Sequence, residues 1–141
     1  MAKLVGPALA VVAVSLLALL LWTPRAWGGK ANVLFVEATQ ESEDLWTFSV
    51  TVSHDDKGPT HWADFWRART PEGKELGRRV LLHSHEGEQP VTRDAQIRIP
   101  PTVRIVVVEA HDKLHGLGGA TVTLDLTKPA GQSYTVRRRR P

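Results

Sequence analysis

The chain has 141 residues, no cysteine, and a formal charge of +3 made from eighteen Lys and Arg against fifteen Asp and Glu. That length holds one domain at most, and 42% hydrophobic with 23% charged residues is an ordinary globular composition, which excludes general disorder and collagen-like repeats. The lack of cysteine excludes disulfide scaffolds, zinc ribbons, thiol redox centres and Cys nucleophiles.

The chain opens on an apolar leader. Lys3 precedes Leu4 to Trp22, a run broken only by Gly6, Pro7 and Ser15 and followed by Thr23-Pro24-Arg25-Ala26-Trp27-Gly28. A basic start, an apolar stretch and a small-x-small site read as a secretory signal over residues 1–28. Ala26 and Gly28 stand at the two positions a signal peptidase reads, so the mature chain is expected to begin at Gly29 and to be periplasmic or secreted. The alternative is an uncleaved membrane anchor over residues 4–22. The dense part, Ala8 to Trp22, is shorter than the roughly 20 residues that cross a bilayer.

Without Lys3 and Arg25 the charge falls to +1, and without Arg137 to Arg140 as well it falls to −3. The folded part therefore lacks the basic face that nucleic-acid binding needs. Residues 129–141 read as a disordered basic tail.

From Ala31 onward short alternating runs recur with turn signals between them, and no stretch keeps a helical period. Strands are expected at 32–38, 45–53, 62–70, 75–82, 94–99, 102–110 and 120–127. The second is the clearest, with Trp46, Phe48, Val50 and Val52 on one face and Thr47, Ser49 and Thr51 on the other. Pro71-Glu72-Gly73-Lys74 makes a tight turn and Pro100-Pro101 a corner. Seven short strands in one domain of residues 29–128 predict an all-β, seven-stranded antiparallel sandwich.

This pattern resembles the immunoglobulin-like or fibronectin type III class, with Trp62 or Trp66 where such sandwiches bury a Trp; the resemblance implies architecture and no function. The strings His-x-His-x-x-x-Gln-Pro-x-Thr-Arg at 83–93 and His-Asp-x-x-His-Gly-x-Gly-Gly at 111–119 resemble those of an uncharacterised family of small exported bacterial proteins. That resemblance implies export and supplies no activity.

In an antiparallel sandwich each connection reverses the chain, so loops 54–61, 83–93 and 111–119 are expected at one pole. All six histidines lie in them, together with Asp55, Asp56, Glu86, Glu88 and Asp112. Imidazoles and carboxylates are the ligand set for zinc, copper(II), nickel or iron. His83 and His85 are two apart and share a side of an extended strand end. His111 and His115 are four apart and align if the segment takes one helical turn. The candidate metal ligands are thus His83, His85, His111, His115 and Asp112, with copper(II) or zinc as the ion. His54 and His61, near Asp55 and Asp56, read instead as loop residues that hydrogen-bond locally.

Enzymatic readings find little support. Ser84 lies between two histidines, but neighbours on an extended chain face opposite ways and no Gly-x-Ser-x-Gly elbow is present. Glu86 and Glu88 make a carboxylate pair without room for a substrate cleft. Trp62 and Trp66 could form a sugar-stacking platform, or one of them could be core. The sequence is expected to be non-enzymatic. Its second functional reading is an adhesion or accessory module that binds an envelope protein or glycan through the same loops, with membrane contact only through an uncleaved leader.

Overall fold

The computed structural model describes residues 29–139, so the leader expected at 1–28 lies outside the described residues. Those residues form nine strands and no helix: β1 (Asn32–Gln40), β2 (Leu45–Ser53), β3 (Ala63–Arg69), β4 (Glu75–Val80), β5 (Val91–Arg98), β6 (Ile105–Asp112), β7 (Val122–Asp125), β8 (Ala130–Gly131) and β9 (Tyr134–Arg138). One sheet runs β5-β2-β1-β9-β8 and the other β4-β3-β6-β7. The described residues are all-β, in two sheets. The strands expected from alternation are all present, β2 with the expected bounds and the others with shifted ends.

Two features depart from the seven-strand antiparallel expectation. Residues 130–131 and 134–138 are strand, where a tail was expected, and β9 pairs parallel with β1, from Val36↔Tyr134 to Gln40↔Arg138. Tyr134 and Val136 are buried there, an alternation that the following Arg run obscures. Of the tail, residues 140–141 lie outside the described residues.

The core is built from one face of each sheet. Val36 and Ala38 of β1, Phe48 and Val50 of β2, Trp66 and Ala68 of β3, Val106 and Val108 of β6 and Leu124 of β7 are all fully buried in one cluster. Burying each large apolar side chain contributes about 1.5–3 kcal/mol. Register irregularities decide which residues stay out. A shift between Val33 and Phe35 in β1 leaves Leu34 and Phe35 exposed. A second shift, between Ala63 and Phe65 in β3, sends Trp66 into the core and Phe65 to the outer face. Trp62 packs at the core's margin under Lys113 Nζ, 4.8 Å from its ring, so the two tryptophans make no common platform.

Two inward stripes reach the same pole. On β2 the stripe Trp46, Phe48, Val50, Val52 continues to His54; on β6 the stripe Val106, Val108, Ala110 continues to Asp112. Both polar residues are buried. Period two therefore carries an imidazole and a carboxylate to the open end of the core.

Candidate metal centre

His54 Nε2, His61 Nε2 and an Asp112 carboxylate oxygen converge, with all three ligand atoms within 4.8 Å of one another. His54 Nε2 contacts Asp112 Oδ2 closely, and His61 Nε2 is 2.9 Å from the same oxygen. His61 is placed by a bridge with Lys57, whose N–H donates to the His61 carbonyl at 2.6 Å. His115 closes the ring from the other loop: its imidazole stands 4.9 Å from that of His61, and its Nδ1 is 3.4 Å from Asp112 Oδ1.

Asp112 is held by its own loop. Its Oδ1 accepts the backbone N–H groups of Leu114 and His115, each at 2.6 Å, and its main chain is bridged to Gly116. These bonds use up Oδ1. Oδ2, by contrast, is buried and accepts no hydrogen bond of proper geometry, although two ring nitrogens stand beside it. A buried carboxylate oxygen needs a positive partner, which a protonated imidazole or a metal ion can supply. Burial alone raises the Asp112 pKa, but the His115 and Leu114 amides and the neighbouring His54 and His61 outweigh it and hold the carboxyl below the usual range. Asp112 is therefore an anion facing the imidazole nitrogens of His54 and His61.

Asp56 orients His54 from behind. His54 Nδ1–H donates to Asp56 Oδ1 at 2.5 Å, which turns Nε2 toward Asp112. The same oxygen accepts from Ala63 N at 3.1 Å, and Oδ2 accepts from His85 N at 2.7 Å. A carboxylate on the far nitrogen fixes the tautomer and raises the basicity of a ligating histidine. Burial pulls the His54 pKa down, yet the Asp56 bond, the Gly29 carbonyl and Asp112 together leave it raised above 6.5.

The histidines expected to bind do not come together as a set. His111 lies on the outer face of β6, because it is one residue from inward-facing Asp112; it stacks on Phe65 at 4.4 Å and donates from Nδ1 to Asp64 at 2.6 Å. No helical turn forms at 111–115: Asp112 stays in strand and the turn lies between it and Gly116. His83 donates from Nδ1 to the Ser84 carbonyl at 3.1 Å. His85 is buried beside His83, and its Nε2 accepts from Arg93 at 3.3 Å, so Arg93 meets an imidazole and no carboxylate. Burial first, then His83 and Arg93, lower the His85 pKa. Of the expected ligands, Asp112 stands in the convergent group and His115 at its rim. His54 and His61, assigned to local bonding, supply the nitrogens.

The three histidine-bearing loops do meet at one pole. Glu86 Oε1 accepts from Gly58 N at 2.8 Å, Gln89 Oε1 from His54 N at 3.0 Å, and Lys113 N donates to the Trp62 carbonyl at 3.1 Å.

Two imidazole nitrogens and one carboxylate oxygen, with a third imidazole adjacent, fit a divalent transition ion. Bonds of about 2.0–2.2 Å give tetrahedral ligand–ligand spacings of roughly 3.3–3.6 Å, within the span of this group. The His54–Asp112 and His61–Asp112 separations are shorter than that spacing, so a bound ion would draw the Asp112 carboxylate and the two rings apart.

No family model matches the chain, and no solved structure matches it. It is 42% identical over 96 residues to a protein of Halomicrobium mukohataei described as "Putative lipoprotein", a match covering 68% of this chain. The aligned part spans about half of that relative's length, 47%.

Proposed function

We propose that this is an exported, non-catalytic protein that binds one divalent transition-metal ion, copper(II) or zinc, at the pole of an immunoglobulin-like β-sandwich. The observation that carries this reading is the convergence of His54, His61 and the buried Oδ2 of Asp112. Export is supported by the small-x-small site after the apolar leader and by the description of the relative as a lipoprotein. The immunoglobulin-like reading is supported by strand order, with β5-β2-β1 in one sheet and β4-β3-β6-β7 in the other.

An ion here would tie the 54–61 loop to the 111–119 loop and satisfy groups that the protein alone leaves opposed. Imidazole and carboxylate suit zinc and copper(II), and without thiolate the site has no preference for copper(I). Calorimetric titration of chelator-treated protein tests the reading. Binding of one equivalent tighter than about 10 μM, lost in Asp112→Asn, is expected; no binding of either ion defeats it.

A second reading, an accessory module that binds a protein or glycan through the same loops, is supported by His83 and His111, whose nitrogens face a backbone carbonyl and a carboxylate. Leu82, 83% exposed and next to His83 in the chain, supports it too.

A further inference from the structure

The second oxygen at the centre of the cluster belongs to the main chain. Gly29 O lies 3.0 Å from His54 Nε2, 3.3 Å from His61 Nε2 and 2.8 Å from His115 Nδ1. Three imidazoles from two loops thus share it with Asp112. Position 29 favours glycine: φ is 92°, and a Cβ there would come within 2.3 Å of His115 Cε1 unless that ring moved. The residues that follow are clamped in place. Val33 N donates to Ala120 O at 2.8 Å, Ala120 N to Asn32 Oδ1 at 2.7 Å, and Gly119 lies so close to Ala31 that a Cβ would sit 1.9 Å from the Ala31 carbonyl oxygen.

The sequence separately marks the same residue. Ala26-Trp27-Gly28 is the small-x-small site at which the leader is expected to be cut, which makes Gly29 the first residue of the exported chain. The backbone oxygen that enters the cluster and the amine that processing would release belong to one residue.

We propose that removal of the leader completes the metal centre, with the α-amine and carbonyl oxygen of Gly29 chelating the ion held by His54, His61 and Asp112. This rests on the metal-binding reading above. In the uncut chain the Gly29 nitrogen is an amide and offers no lone pair. Hydrolysis of the Gly28–Gly29 bond by a signal peptidase consumes one water, leaving a carboxylate on Gly28 and a primary amine on Gly29. That amine has an ordinary pKa of about 7.7–8.0, so a divalent ion displaces its proton near neutrality. The nitrogen and oxygen of one residue are at most about 3.6 Å apart by standard backbone dimensions, close enough to shut a five-membered ring on the ion. Rotation about the Gly29 Cα–C bond brings the nitrogen round, with no side chain to obstruct it. Full affinity then develops only after export, and the precursor does not compete for the ion inside the cell.

The test uses the full chain in detergent, with residues 23–28 replaced by the recognition sequence of a site-specific protease that cuts before glycine. Copper(II) affinity is measured before and after cutting, by competition with a chelator. Electron paramagnetic resonance of protein grown on 15N-glycine reports whether a glycine nitrogen joins the ion. The expected result is a tightening of tenfold or more on cutting, with a 15N coupling present only in the cut form. Equal affinity and no new coupling, with His61→Ala abolishing binding in both forms, overturns this proposal and leaves the metal centre standing. Absence of binding in both forms overturns the two together. The intact mass of the chain exported with its natural leader must correspond to a first residue at Gly29; any other start overturns the proposal.

Discussion

The Nδ1–H of His54 donates to Oδ1 of Asp56 across 2.5 Å, in a pair that is buried on both sides. The bond decides which ring nitrogen of His54 faces Asp112, so the geometry of the candidate centre depends on a residue that does not itself reach it. Every hydrogen bond to Asp56 is an accepted one, from His54, Ala63 and His85.

Asp56→Asn therefore has to turn an amide N–H₂ toward a buried donor. The expected outcome is a loss of about 1–3 kcal/mol in stability and a 10–100-fold weaker metal affinity, read from denaturant unfolding and from calorimetric titration of the folded variant.

Single substitutions separate the group that converges from the histidines that the strings 83–93 and 111–119 make prominent. His61→Ala, at a partly exposed ligand, should weaken zinc or copper(II) binding at least a hundredfold while the metal-free melting temperature stays within a few degrees. His83→Ala and His111→Ala should leave affinity within about threefold, because each ring is bonded outside the centre. Parallel titrations of the three variants check this.

Acid should compete with the ion at His54 first. Its pKa is raised in the metal-free protein: burial lowers it, but Asp56, Gly29 and Asp112 outweigh burial. A raised histidine pKa adds stability that is full below the unfolded value of 6.5 and disappears as pH rises through the folded value. Binding an ion requires that proton to leave, so affinity should climb with pH through and above 6.5. His85 has the opposite sign: its lowered pKa removes stability as pH falls below 6.5. NMR titration of the two imidazoles should place the His54 midpoint above 6.5 and the His85 midpoint below it, and the His54 transition should move to lower pH when zinc is added.

Much of this fold was legible in the sequence because alternation survives wherever one strand face is buried. Trp46 to Val52 marks β2 end to end. The same parity, carried two residues past Val52 and Ala110, points His54 and Asp112 inward, and that signal for the centre was available. The four-residue spacing of His111 and His115 suggests one face of a helical turn, but the segment stays extended to Asp112. What period two does not contain is the main-chain contribution of Gly29, which depends on how residues 29–32 dock against Gly118 and Gly119. The β9 strand was hidden by composition, since Tyr134-Thr135-Val136 alternates correctly but runs into consecutive arginines.

Truncation after Lys128 tests the C-terminal strand. It removes buried Tyr134 and Val136 and the parallel ladder on β1, which should cost several kcal/mol given about 2–5 kcal/mol per large buried side chain deleted.

Gly119→Ala should be more damaging than its one methyl group suggests, because the added Cβ meets the Ala31 backbone oxygen and not a movable side chain. Displacing Ala31 pulls Gly29 away from the three imidazoles. Metal affinity should fall tenfold or more with a lower melting temperature, both measured on the purified variant.

Anomalous diffraction from crystals grown with one equivalent of zinc addresses the central claim most directly. The account predicts a single strong peak about 2.0–2.2 Å from His54 Nε2, His61 Nε2 and an Asp112 carboxylate oxygen. A peak only at His83, His85 or His111, or no peak in protein that has been shown to be folded, would contradict it.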